Sequence, residues 1–172
     1  MTCTYLKRFW IVPLAFVLSL PCDGASIEFF PRSDPKIVMT PGAFSGKWTY
    51  RSYRNDPNIS VDPNNLLFGR AEIEISESPD GQVNGTLGGQ DWSLELKGIA
   101  TYTTAGASIK FQGVGEVGGE TWVYDYFGYL SPMWSTGLNQ RRAILGSVIR
   151  TTPHSGGSAA AGYVASFLAV RH

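Results

Sequence analysis

The sequence is poor in the residues that build thiol, metal and nucleic-acid sites. Its 172 residues include two cysteines, Cys3 and Cys22, and two histidines, His154 and His172. Two histidines are too few for a histidine-rich metal site. Fourteen basic residues balance fourteen acidic ones without a basic run, which argues against a nucleic-acid footprint. Because catalytic-elbow, zinc-protease and phosphate-loop motifs are also missing, we expect no metal, no cofactor and no nucleic-acid partner.

Long hydrophobic runs are missing too, and the longest apolar stretch lies near the N-terminus. Lys7 and Arg8 precede an apolar segment at positions 9–20, and small residues follow it. At about 12 residues, this segment is too short to span a bilayer as a helix. A charged start, a short apolar middle and small residues after it are typical of a secretory signal peptide. We therefore predict a signal peptide over 1–24, a secreted or periplasmic protein, and no stable membrane span.

The rest of the chain divides into a leader and a domain. Cleavage after residue 24 would remove both cysteines, so the exported chain would form no disulfide. A lipoprotein signal ending at Cys22 is the alternative, although Pro21 directly before that cysteine argues against it. Residues 25–43 contain three prolines and no hydrophobic period, which predicts an extended leader that packs Phe29, Phe30 or Ile37 against the domain. The domain itself is predicted over residues 44–172.

What the domain does have is glycine, aromatic residues and alternation of apolar with polar side chains. Ala71, Ile73 and Ile75 alternate with charged residues, as in a strand with one buried face. Turn signals separate eight such segments, predicted at 46–54, 66–76, 82–87, 91–102, 107–117, 121–130, 142–152 and 162–171. Short sequential connections make neighbouring strands antiparallel. The prediction is an all-β fold, an eight-stranded antiparallel up-and-down barrel, with a two-sheet β-sandwich as the alternative.

The first predicted strand carries a motif known from barrels of this size. Gly46-Lys47-Trp48 resembles the Gly-x-Trp that begins the first strand in the calycin superfamily, which includes lipocalins, fatty-acid-binding proteins and avidins. The resemblance implies that Trp48 plugs one end of the barrel and that a basic residue of the last strands, Arg150 or Arg171, lies over it.

Strand six supplies a second point of likeness. Tyr124-Asp125-Tyr126 is similar to the lipocalin Thr-Asp-Tyr motif with the threonine replaced. In length, and without a helix after the eighth strand, the domain resembles the avidin branch more closely. The residues with which avidins hold biotin do not align with this chain, so the resemblance implies no particular ligand.

The segment 120–134 concentrates aromatic side chains on both faces of a strand. One face would fill the barrel, and the other would meet the leader or a second subunit in a homo-oligomer. A barrel of eight strands has room for packed side chains or for one small ligand. His154 lies in a loop, 150–162, that we expect to form the rim of the barrel mouth. The predicted ligand-binding residues are Tyr124, Tyr126, Trp92, Phe111 and His154.

Asp125 is surrounded by aromatic residues, where a buried carboxylate needs a partner. Arg142 or Arg150 on the next strand would supply one, and such an ion pair is favoured over a catalytic role for Asp125. The leading hypothesis is therefore a non-enzymatic exported barrel that binds an apolar or aromatic small ligand. A cofactor-independent cyclase or isomerase acting on a hydrophobic substrate is the second hypothesis. A filled barrel with a structural or oligomerisation role is the third.

The signal-peptide prediction is tested by the mass of the protein recovered from the secreted or periplasmic fraction. We expect a mature chain that begins at Ala25, because signal peptidase cleaves after small residues. A chain that keeps Met1 and stays in the cytoplasm would contradict the prediction.

Overall fold

A computed structural model describes residues 40–172; the predicted signal and the leader positions Phe29, Phe30 and Ile37 lie outside that range. The described chain folds into eight strands: β1 Gly46–Arg54, β2 Leu67–Glu77, β3 Gln82–Gly88, β4 Ser93–Thr103, β5 Gly106–Val117, β6 Glu120–Leu130, β7 Ala143–Arg150 and β8 Val164–Arg171. Each strand pairs with the next, and β8 pairs with β1. The predicted closed up-and-down barrel is confirmed, and the sandwich alternative is wrong.

Helix plays almost no part in residues 40–172. A single 3₁₀ helix, Pro63–Leu66, lies in the connection between β1 and β2, and the Asp62 side chain caps it by accepting a hydrogen bond from Asn64 N. None of the helical structure described is long and apolar enough to cross a membrane.

The pairing of β1 with β8 fixes which side chains fill the interior. Trp48 lies opposite Arg171 and Arg54 opposite Ala165, so the first strand starts where the last strand ends. Because side chains alternate across a strand, Trp48 and Tyr50 point inward and are buried, whereas Arg51 between Tyr50 and Ser52 is exposed. The barrel therefore has one end where odd-numbered strands begin and another where they finish.

The end where β1 begins is closed by side chains. Phe44 and Trp48 are fully buried there, and the Trp48 Nε1 group donates a hydrogen bond to the Phe44 carbonyl at 2.9 Å. Tyr102 packs against Phe44 with 6.1 Å between ring centres and donates its hydroxyl proton to the Glu77 carboxylate at 2.7 Å. Apolar packing and satisfied polar groups together seal this end.

Gly46 makes room for a cation over the Trp48 ring. Its φ of +128° lies in a region that favours glycine, and a Cβ at this position would lie 3.2 Å from Arg171 Nη2. The Arg171 guanidinium carbon lies 5.8 Å from the centre of the Trp48 ring, within cation–π range. The glycine, the tryptophan and the arginine therefore form one packing unit.

A layer of aromatic rings crosses the middle of the barrel. Tyr126 stacks on Phe111 with 4.7 Å between ring centres, and it meets Phe167 edge-on at 6.0 Å. Gly128 permits this packing, since a Cβ there would lie 2.8 Å from Ile144 Cγ2 and 3.1 Å from Phe167 Cζ. Between this layer and Trp48 the interior side chains, among them Ile73, Ile109 and Ile144, are buried.

Replacing Trp48 with alanine should lower the free energy of unfolding by about 3–5 kcal/mol, because a large, fully buried ring is removed. Urea denaturation followed by circular dichroism measures this loss. Trp134→Ala is the matched control: that ring is 48% exposed, so we expect a loss of only about 1 kcal/mol. A loss under about 1 kcal/mol for Trp48→Ala would show that Trp48 does not seal the barrel.

Candidate functional site

The end of the barrel opposite Trp48 contains a cavity of about 310 Å³. It lies where β1 and β7 finish and where β2 and β6 begin. Six of its fourteen lining residues are aromatic, namely Tyr50, Phe68, Trp92, Trp122, Tyr124 and Tyr126. The polar side chains that line it are few: Ser52, Arg70, Arg150 and His154. Apolar walls with a few convergent polar groups are typical of small-molecule sites.

Four of the five predicted ligand-binding residues meet at this cavity. Trp92, Tyr124, Tyr126 and His154 all line it. Phe111 does not line it; it lies opposite Tyr126 on the neighbouring strand, and its ring stacks on the Tyr126 ring. Phe111 therefore supports the floor of the site instead of facing its space.

The connection between β7 and β8 folds back and inserts His154 into the cavity wall. His154 and Ala159 exchange two backbone hydrogen bonds of 3.1 Å, which closes a tight turn between them. The turn contains three residues with positive φ: Ser155, Gly156 and Gly157. Only 6% of His154 is exposed, so the predicted rim residue is in fact buried.

Glu120, the first residue of β6, holds this turn in place. Its carboxylate accepts hydrogen bonds from the backbone N–H groups of Ser155 and Gly156, the latter at 2.9 Å. Hydrogen bonds from backbone N–H groups to a carboxylate are charge-assisted and stronger than neutral ones. The position of His154 therefore depends on β6, the same strand that supplies Trp122 and Tyr124.

A chain of hydrogen bonds joins three polar side chains at the cavity. Arg150 Nε donates to the Tyr124 hydroxyl at 3.2 Å, and the Tyr124 hydroxyl lies 2.7 Å from His154 Nε2. The His154 ring also stacks on Trp122, with 4.0 Å between ring centres. On the far side of the imidazole, Nδ1 lies 2.9 Å from Ser155 Oγ. Both ring nitrogens of His154 therefore have partners.

The surroundings of His154 favour its neutral form. Burial lowers the pKa of His154, and the positive charge of Arg150 lowers it further, whereas Glu120 acts in the opposite direction. With Arg150 donating to it, the Tyr124 hydroxyl is free to donate to Nε2 of a neutral imidazole, whose Nδ1–H then donates to Ser155. Burial also raises the pKa of Tyr50 and of Tyr126, so both stay protonated phenols.

Arg150 belongs to this cavity and not to the Trp48 plug. Its guanidinium carbon lies 5.5 Å from the ring centre of Phe68, 5.9 Å from that of Tyr124 and 5.6 Å from that of Tyr163. Phe68 and Tyr163 stack on each other at 5.2 Å. Of the two predicted candidates for the plug, the structure thus places only Arg171 over Trp48.

Asp125 lies outside the barrel, and its predicted ion pair with Arg142 or Arg150 is wrong. It sits between Tyr124 and Tyr126, and because these two line the cavity, strand alternation turns Asp125 outward. Its carboxylate accepts a hydrogen bond of 2.8 Å from Gln112 Nε2 on β5. Asp125 therefore has a partner on the outer face and does not reach the cavity.

Sequence reasoning did not single out Phe68, Trp122 or Tyr163 as part of the site. Trp122 follows the inward alternation of Tyr124 and Tyr126, so strand period alone could have identified it. Phe68 and Tyr163 flank connections of the open end, and only the three-dimensional fold brings them to Arg150.

Within residues 40–172, no group of three histidine, cysteine, aspartate or glutamate side chains is placed to hold a metal ion. Comparisons with protein-family models, with curated proteins and with solved structures found no match to this chain. The site is therefore interpreted from its own geometry.

His154 should titrate below pH 6.5, the ordinary value for histidine, because its neutral form is favoured in the fold. Its imidazole proton resonance in NMR spectra, assigned with His154→Gln, measures the midpoint. Arg150→Gln should raise that midpoint, because it removes a positive charge that lowers the pKa of His154. Glu120→Gln should lower the midpoint, because it removes a negative charge that raises this pKa.

The same shift has a consequence for stability. The unfolded chain binds a proton at His154 before the folded chain does, so the free energy of unfolding should fall as the pH drops below about 6.5. This loss should be smaller in His154→Gln. A midpoint at or above 6.5 for the folded protein would contradict the proposed environment of His154.

Proposed function

We propose that this protein binds one apolar or aromatic small molecule in the open end of its barrel. The observation that carries the proposal is the cavity of about 310 Å³ with six aromatic side chains in its wall. This volume is at the lower end of the range for small-molecule pockets. Apolar walls would stabilise a ligand by burying its surface, and the few polar groups would fix its orientation.

The proposal includes a calycin-like identity and export from the cell. The closed eight-stranded barrel, with Trp48 under a basic residue of the last strand, is consistent with the calycin-like arrangement. The predicted signal over residues 1–24 supports a secreted or periplasmic location. A barrel outside the cytoplasm that holds an apolar molecule would act as a carrier or a receptor for it.

A route into the cavity is available through the wall between β2 and β3. Pairing of these strands begins only at Glu72 with Gly88, so the first five residues of β2 have no β3 partner. A groove of about 760 Å³ lies beside this part of β2, and it shares Tyr50, Arg70 and Trp92 with the cavity. We propose this groove as the side by which a ligand enters and leaves.

A cofactor-independent enzyme of the cyclase or isomerase kind is the second candidate function. The observation that favours it is the 2.7 Å contact between the Tyr124 hydroxyl and His154 Nε2 inside the cavity. A neutral imidazole next to a phenol can pass a proton to or from a bound substrate. In this candidate function, Tyr124 and His154 take the acid–base role for which the sequence suggested Asp125 or a tyrosine.

The outer face of β6 exposes aromatic side chains that could form the contact in the predicted homo-oligomer. Phe127 and Tyr129 point away from the barrel and are 59% and 50% exposed. The third hypothesis, a filled barrel, fits the closed end but not the end that contains the cavity. We therefore propose that any oligomer forms through the outside and leaves the cavity free.

Ligand binding is tested with the neutral fluorescent probe N-phenyl-1-naphthylamine. We expect saturable binding of one probe per chain, with energy transfer from Trp92 and Trp122, because both rings line the cavity. Val148→Phe should abolish this binding, since Val148 is buried in the cavity wall and a larger side chain would fill the space. Val114→Phe, the same change at a position 40% exposed, is the matched control and should leave binding unchanged.

Native mass spectrometry of protein purified from its source complements the probe, because it reports a copurified ligand and the number of subunits together. Affinity for such a ligand should fall when Tyr124 and Tyr126 become phenylalanine and His154 becomes alanine.

Equal probe binding in wild type and Val148→Phe would contradict the proposal. Turnover of the ligand that disappears in His154→Gln, while the fold persists, would replace binding by catalysis.

A further inference from the structure

Arg150 carries a positive charge that no carboxylate among residues 40–172 neutralises. It is 9% exposed and lines the cavity. Its hydrogen bonds go to two neutral acceptors, the Tyr124 hydroxyl at 3.2 Å and the Ala160 carbonyl at 3.1 Å. Among residues 40–172, no acidic side chain forms an ion pair with it; the pairs in this range are Lys47–Glu74 and Lys97–Glu95.

An unpaired buried cation is unfavourable, and proteins usually pair such a charge or leave it for a ligand. Three aromatic rings within 6 Å of the guanidinium offset part of the cost by cation–π attraction. Arginine is permanently charged and has five N–H donors, of which the two hydrogen bonds use only two. Donor capacity therefore remains for a group inside the cavity.

The charged side chains that line the cavity itself are both basic. Arg150 is buried and Arg70 is exposed, and no aspartate or glutamate among the described residues lines the cavity. Glu120, the acidic residue that acts on His154, is occupied by the backbone of the turn at Ser155 and Gly156. The site thus offers a cationic end and an aromatic body, without an acidic group to repel an anion.

We infer that the ligand is a small aromatic or apolar molecule with one anionic group, such as a carboxylate, and that Arg150 is the counter-ion of that group. This inference rests on the proposed function and makes it more specific. A guanidinium pairs with a carboxylate through two parallel hydrogen bonds, which a neutral ligand does not offer. The rings of Trp92 and Trp122 supply the wall for the flat body.

The test compares two probes that share a body and differ in charge. 8-Anilinonaphthalene-1-sulfonate carries one negative charge, and N-phenyl-1-naphthylamine is its neutral counterpart. Both are titrated into the wild-type protein, Arg150→Met and Arg150→Lys. Lys110→Met is the matched control, because Lys110 is exposed on β5 and its loss changes the net charge by the same amount.

We expect the sulfonate to bind wild type about tenfold or more tightly than the neutral probe, the range for a hydrogen-bonded charge. Arg150→Met should remove this preference, and Lys110→Met should keep it. Arg150→Lys, which keeps the charge but cannot form two parallel hydrogen bonds, should keep only part of it. The neutral probe should bind all four proteins alike. Equal affinities for the two probes in wild type, or a preference that survives in Arg150→Met, would overturn the inference and leave the proposed function standing.

If neither probe binds wild type in the cavity, the proposed function itself fails. A second measurement uses only the wild-type protein, so it does not depend on whether a variant folds. 2-Naphthoate and 2-naphthamide are compared as competitors of the neutral probe in wild type, with sodium phosphate as a third competitor. Stronger competition by the naphthoate supports the inference, equal competition by naphthoate and naphthamide overturns it, and competition by phosphate alone would show a site for inorganic anions instead.

Discussion

The pairing of β8 with β1 is the constraint on which the rest of the structure depends. It turns a row of eight strands into a closed wall, with Trp48 set opposite Arg171. Once the sheet is closed, every second side chain must fit into one interior of fixed width. Large rings such as Tyr126 and Phe167 fill that width at mid-height only because glycines such as Gly128 face them. Closure also pairs every strand with a neighbour on both sides, although the first five residues of β2 extend beyond β3.

A closed up-and-down barrel has two ends, and the side chains at the two ends of this barrel differ. At the end where β1 starts, Phe44 and Trp48 exclude water, and Arg171 caps the ring from outside. At the other end, the aromatic layer stops below the rim and the polar chain of Tyr124 and His154 lines the remaining space. The first end is packed with buried side chains, whereas the second holds a cavity and a buried charge.

Strand order explains what the sequence could and could not predict. The eight strands were predictable to within two residues at every boundary, because alternation and turn residues act locally. The choice between Arg150 and Arg171 for the plug was left open, although both follow the inward alternation of their strands. Strand direction decides it: β7 runs away from the Trp48 end and finishes with Arg150, whereas β8 returns and finishes with Arg171.

His154 was predicted as a residue of the site, but its contacts were beyond local reasoning. Its loop is rich in small residues, which suggested a rim, but the fold of that loop depends on Glu120, located 35 positions earlier. The role of Asp125 was misjudged for a related reason. When both faces of a strand carry aromatic side chains, the sequence does not show which face is inside. The whole barrel sets the inward direction of Tyr124.

The turn that Glu120 holds connects the mouth of the barrel to the polar side chains inside it. Glu120 fixes Ser155 and Gly156, that turn positions His154, and His154 contacts the Tyr124 hydroxyl. Arg150 joins the same network from β7 and also donates to Ala160 at the far side of the turn. A group that engages Arg150 would therefore act on both the hydrogen-bond chain and the loop around it. Because these contacts share donors and acceptors, the loop and the cavity wall belong to one hydrogen-bond network.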